Sequence, residues 1–129
     1  MKADKVICAS GFFEPFHVGH VEYLERAKSL GTFLIVIVNN DEQVRRSNKK
    51  NIFMTCEERC TLLSALQCVD MVVPSIDKDD SVCHTLSVVT PKPHIFCNGG
   101  DKYNYDVPEF SICQKLGIEL KAGLGWKIR

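Results

Sequence analysis

Phe33-Leu34-Ile35-Val36-Ile37-Val38 is followed at once by Asn39-Asn40-Asp41. Six consecutive apolar residues, mostly β-branched or aromatic, leave no polar face, so the strand they form must be covered on both sides, as in a parallel sheet. The polar turn marks its carboxyl end. Working outward, shorter apolar runs recur at Val6–Ala9, Val69–Val73, His94–Cys97 and Ile118–Ala122. Helical patterns separate them. Val21, Leu24, Ala27 and Leu30 recur at every third residue and stop at Gly31. Thr55 stands three residues before Glu58, a capping box ahead of Leu62, Leu63 and Leu66. Ser81 to Val89 is halted by Pro91 and Pro93, and Pro108 to Leu116 follows Asp106 as a cap and ends at Gly117. This regular alternation predicts one α/β domain, a parallel sheet of about five strands with helices on both faces. Asn39 to Met54 reads as the longest loop, polar and basic through Arg45, Arg46, Lys49 and Lys50.

The 129 residues suit a single domain spanning 1–129. Lysine plus arginine total 16 and aspartate plus glutamate total 16, so the net charge is zero, which argues against bulk attraction to nucleic acid or an anionic membrane. No apolar stretch approaches the roughly 20 residues of a spanning helix, and no signal peptide follows the charged start, so a cytoplasmic location is expected. The seven cysteines include no C-x-x-C pair. They are expected to be small core residues in a reducing compartment rather than zinc ligands.

In sheets of this kind ligands bind beyond the carboxyl ends of the strands. The residues there are Ser10-Gly11-Phe12-Phe13-Glu14-Pro15-Phe16-His17-Val18-Gly19-His20 after the first strand, Asn39-Asn40-Asp41 after the second, Pro74-Ser75 after the third and Asn98-Gly99-Gly100-Asp101-Lys102 after the fourth. His17 and His20, three apart at a helix start, share a face. A helix N-terminus presents free N–H groups and positive potential, suited to phosphate. On the residues alone, three uses of the pair stay open: charge stabilisation in phosphoryl-group transfer, capping or core packing, and a two-histidine metal site. His84 and His94 read as ordinary surface or core residues, and Asp77 to Asp80 as a solvated turn and helix cap.

The string Gly11 to His20 resembles the G-x-F-D-x-x-H-x-G-H signature of the cytidylyltransferase-like nucleotidylyltransferases. The resemblance continues through Tyr23 to Gly31, Val38-Asn39-Asn40-Asp41, Lys49-Lys50, Glu58-Arg59, Val69-Asp70 and Asn98-Gly99-Gly100-Asp101. It implies a Rossmann-like, doubly wound sheet. It also implies transfer of a nucleoside monophosphate from ATP or CTP to a phosphorylated small molecule, with release of pyrophosphate. Magnesium accompanies the triphosphate. By position, His17 and His20 hold phosphate oxygens in the transition state. Lys49 or Lys50 neutralises charge. Gly11, Phe12, Phe13, Glu14, Gly19, Asn98, Gly99, Gly100 and Asp101 line the nucleotide. Asp41 and Arg59 serve the phosphates or the acceptor. A homodimer is a further expectation from the family.

Glu14 stands where the family has aspartate, and Phe12 where it has a small or polar residue. The family's Ser/Thr-rich turn and last helix are not found, since Trp126-Lys127-Ile128-Arg129 falls where the turn should begin. Val38 to Asp41, Val69-Asp70 and Gly99-Gly100-Asp101 look most similar to heptose-phosphate adenylyltransferases, with glycerol-phosphate and ethanolamine-phosphate cytidylyltransferases as alternatives. A non-catalytic nucleotide sensor is the alternative from another class. A dehydrogenase is disfavoured, because no G-x-G-x-x-G follows the first strand.

Overall fold

The computed structural model describes residues 5–13, 16–48, 54–98 and 107–121. In chain order the elements are β1 (Val6–Gly11), α1 (Val18–Lys28), β2 (Phe33–Val38), α2 (Asp41–Asn48), α3 (Cys56–Ser64), β3 (Met71–Pro74), α4 (Cys83–Val88), β4 (Ile95–Asn98), α5 (Phe110–Leu116) and β5 (Glu119–Lys121). The five strands are all parallel and lie in the order β3-β2-β1-β4-β5. The chain winds outward from β1 to β3, then returns to set β4 against the other side of β1. That reversal opens a crevice between the carboxyl ends of β1 and β4, the usual ligand position in doubly wound sheets.

Alternate residues of each strand feed two cores. Ile7 and Ala9 of β1, Leu34, Val36 and Val38 of β2, and Ile95 and Cys97 of β4 meet Tyr23, Leu24 and Ala27 of α1 and Leu63 of α3. Val6 and Cys8, Ile35 and Ile37, and Phe96 face the other way, onto Leu86 of α4 and Cys113 of α5. A strand covered on both sides has no use for polar residues, which is why its sequence shows no alternation. All seven cysteines are free thiols. Burial pushes those of Cys97 and Cys113 up to about 12, so they stay protonated and pack as small apolar groups. Among the described residues no helix is long and apolar enough to cross a membrane.

Several expectations need correction. The segment from Asn39 to Met54 is not a continuous loop, because it contains α2. Asn40 Oδ1 accepts the Gln43 N–H (2.9 Å) while Gln43 Oε1 accepts the Asn40 N–H (2.9 Å), a reciprocal cap that starts the helix. Among its described side chains only Gln43 and Val44 are buried, so no apolar stripe announces it. The third strand begins at Met71 rather than Val69, because Asp70 Oδ2 turns aside to accept the Leu34 N–H (2.8 Å) and the Lys28 ammonium (3.0 Å). Helix α1 begins three residues earlier than its apolar spacing suggests. Asp77 is not solvated. It is buried, and its carboxylate accepts the N–H groups of His84 (2.7 Å) and Thr85 (2.9 Å), capping α4. Lys78, Asp79 and Asp80 are exposed as expected. The expected Asp106 cap lies outside the described residues.

Candidate active site

The β1–α1 connection carries the histidines. Gly11 ends β1, and a Cβ there would come within 2.9 Å of Phe13 Cζ, so glycine lets the Phe13 ring fold back over the strand end. Phe13 sits at φ 54°, a left-handed conformation that residues with a side chain rarely hold. Its ring is buried and meets His20 edge-on, with centroids 5.0 Å apart.

His17 is the N-cap of α1. Its Nδ1 accepts the Gly19 N–H (3.1 Å), and His20 Nδ1 reaches back to accept the His17 N–H (3.1 Å). Two imidazoles thus perform the reciprocal capping that Ser/Thr and Glu/Gln usually provide. The rings stack with centroids 3.8 Å apart and planes 24° apart, and Phe16 also stacks on His20 at 5.7 Å. Each Nδ1 lone pair is spent on a backbone N–H, so each neutral ring carries its proton on Nε2. Burial first, and the neighbouring His17 second, lower the His20 pKa to about 4, so at neutral pH this ring is uncharged. The arrangement offers two Nε2–H donors at a helix N-terminus without the cost of holding two imidazolium ions face to face. The capping alternative raised by the sequence is therefore part of the arrangement. Among the described residues no group of three His, Cys, Asp or Glu gathers that would hold a metal ion.

Tyr23 joins the two strand ends that flank the crevice. Its hydroxyl lies 3.0 Å from the Ser10 carbonyl and 3.1 Å from that of Cys97, and it is buried. Asn98 ends β4 opposite Ser10. Gly19 is buried in the first turn of α1. Phe12 and Val18, both in the β1–α1 region of the site, are exposed apolar residues.

Asp41 and Arg59 meet each other. Asp41 Oδ1 accepts from Arg59 Nη2 (2.8 Å) and from the Cys56 N–H (2.8 Å). Arg59, expected to serve the phosphates or the acceptor, has a side chain that is 0% exposed in this structure, and its guanidinium bonds protein carbonyls. Glu14, Lys49, Lys50, Gly99, Gly100 and Asp101 lie outside the described residues. The sequence did not single out Tyr23 as a clamp, nor Asn40 and Gln43 as a helix start. For the latter, the Asn-x-x-Gln spacing was the available signal. His84 is exposed on α4, and His94 Nδ1 accepts the Val6 N–H (3.0 Å) at the amino end of the central strand β1.

Residues 8–116 match the family described as cytidylyltransferase-like. The chain belongs to the cytidylyltransferase-like family. It carries a nucleotidylyltransferase-type domain, with the His-x-x-His element at the switch point of the family's sheet. It is 40% identical over 130 residues to the bifunctional protein HldE of Citrifermentans bemidjiense, which covers 98% of this chain and 24% of that protein. It is 36% identical over 101 residues to HldE of Pelobacter propionicus, covering 78% of this chain and 20% of that one. The cytidylyltransferase-like chain thus spans only about a fifth to a quarter of these relatives. Among solved structures, the lipopolysaccharide core biosynthesis protein of Thermoplasma volcanium superposes with a TM-score of 0.76 at 30% identity, covering 98% of this chain and 100% of that one. A protein of unknown function from Archaeoglobus fulgidus shares the fold, with a TM-score of 0.64 at 20% identity over 90% of this chain and 87% of that one.

Proposed function

We propose that this chain transfers the adenylyl group of ATP to a heptose phosphate. An acceptor phosphate oxygen attacks the α-phosphorus, the bond from that phosphorus to the bridging β-oxygen breaks, and pyrophosphate leaves. No covalent enzyme intermediate is needed, so the protein's share is orientation and charge stabilisation. The observation that carries this is the stacked His17–His20 pair. Both Nδ1 atoms are engaged by backbone N–H groups, which leaves two neutral Nε2–H donors at the amino end of α1 for phosphate oxygens. Donors held in place before the reaction stabilise developing charge without reorganising. The helix end adds positive potential.

Magnesium held by the oxygens of the triphosphate itself would neutralise charge there. Lys49 or Lys50, after α2 in the sequence, neutralises charge on the phosphates. Gly11, Phe12 and Phe13 line the nucleotide through their backbone, and Gly99, Gly100 and Asp101 stand by the base and ribose. The acceptor class rests on the similarity of Val38 to Asp41, Val69-Asp70 and Gly99-Gly100-Asp101 to heptose-phosphate adenylyltransferases. The likeness to a lipopolysaccharide core biosynthesis protein supports a saccharide acceptor.

The test incubates the full chain with magnesium, ATP or CTP, and heptose, hexose, glycerol and ethanolamine phosphates in turn, and follows pyrophosphate. Release with ATP and a heptose phosphate is expected. Release only with CTP and glycerol or ethanolamine phosphate would replace the substrate assignment. Nucleotide binding without pyrophosphate from any acceptor would make the protein a sensor instead.

A further inference from the structure

We infer that Arg59 is a positioning residue of this transfer, holding the β1–α1 turn so that the imidazole pair keeps its place. This rests on the function proposed above. The ladder between β1 and β2 ends at Gly11 and Val38. Where the next rung would be, the Phe12 and Asn39 carbonyls both accept from Arg59 Nη1, each at 2.7 Å. Nη2 bonds Asp41 Oδ1 (2.8 Å), and Nε bonds the Met54 carbonyl (3.2 Å). One guanidinium thus joins the exits of two neighbouring strands, the start of α2 and the approach to α3. Four of its five N–H bonds are committed, and the side chain has no exposed surface. It is therefore built into the site's wall rather than presented to a ligand.

The route to the chemistry is short. The Phe12 carbonyl belongs to the same peptide plane as the Phe13 nitrogen. Fixing that plane holds Phe13 in its left-handed conformation, with its ring over Gly11 and edge-on to His20. His20 in turn stacks on His17. A lysine at 59 keeps the charge but cannot reproduce a planar fork that reaches four acceptors.

The experiment compares the wild-type full chain with Arg59→Lys and Asp41→Asn. Circular dichroism checks folding. NMR follows the His20 ring through a pH titration without substrate. Pyrophosphate assays give kcat, and calorimetry gives ATP affinity. In Arg59→Lys, release of Phe13 admits water to His20, so its titration moves upward from about 4 by about one unit or more. We expect kcat to fall about tenfold or more while ATP affinity changes by less than about threefold. Asp41→Asn, which leaves the carbonyl contacts, gives a smaller change in the same direction, and it carries the test if Arg59→Lys does not fold. ATP affinity falling about tenfold with an unmoved His20 titration would make Arg59 a phosphate ligand and overturn the inference. No change in either readout overturns it too. Failure of the wild type to release pyrophosphate would reject the proposed function alone, since the NMR titration still judges Arg59.

Discussion

Replacing His20 with glutamine should remove a loss of stability that the wild-type protein suffers in mild acid. In the folded chain the His20 ring is half-buried, faces Phe13 and Phe16, and has His17 as its ionisable neighbour, and its pKa is lowered to about 4. In the unfolded chain the same group titrates near 6.5. Above pH 6.5 both states are neutral and the group contributes nothing that varies with pH. Between 6.5 and 4 the unfolded chain takes up a proton that the native ring refuses, so stability falls as pH falls. Below 4 both are protonated and the loss is complete. Taken at face value the shift is worth about 3 kcal/mol. The ring is only half-buried, and solvent screening cuts this to ~1–2 kcal/mol. Glutamine at this position keeps an acceptor for the His17 N–H, so the helix start survives. Carboxylates titrate alike in both proteins and cancel. Urea unfolding at pH 7.5, 6 and 4.5 checks this, with wild type expected to lose ~1–2 kcal/mol more than His20→Gln. Curves that track each other within ~0.3 kcal/mol would refute the assignment of a neutral, partly desolvated ring.

Three further outcomes are expected. Tyr23→Phe leaves the Ser10 and Cys97 carbonyls without their buried hydroxyl and should cost ~1–3 kcal/mol in urea unfolding, whereas a loss under ~0.5 would show the clamp to be unimportant. Gly31→Ala places a Cβ 2.5 Å from the Lys5 carbonyl oxygen and 2.7 Å from Ile7 Cγ1. Since one of these is backbone and the other a core side chain, ~1–3 kcal/mol should be lost, and an unmoved denaturation midpoint contradicts the packing. His17→Asn keeps a good N-cap but removes an imidazole. Turnover should fall about a hundredfold while ATP affinity changes by less than about threefold, and equal loss of both would reject a role confined to the transition state.

The resemblance carried by residues 11 to 20 and the run of six apolar residues at 33 to 38 were enough to indicate the family and the parallel sheet. Both signals are local. A strand covered on both faces must be apolar at every position, and a pair of histidines at a helix start is visible as spacing. The start of α2 was less legible, because among its described side chains only Gln43 and Val44 are buried, which makes no periodic stripe. The surroundings of Asp77, read as a solvated cap, and of Arg59 were hidden for a related reason. A charged residue reads as solvated or ligand-facing unless its partners are known, and here the partners lie outside its own element: His84 and Thr85 of α4 for the first, Phe12, Asn39, Asp41 and Met54 for the second.

The sequence alone carried the order of the five strands and of four of the five described helices, the two-sided burial of the sheet and the presence of both imidazoles at the first helix start. Packing in three dimensions settled that the rings stack, that both Nδ1 atoms are spent on backbone N–H groups, and that a buried guanidinium stands where the rung after Gly11 and Val38 would be. Periodicity is written along the chain, whereas hydrogen-bond partners and burial are settled by which segments the sheet brings side by side.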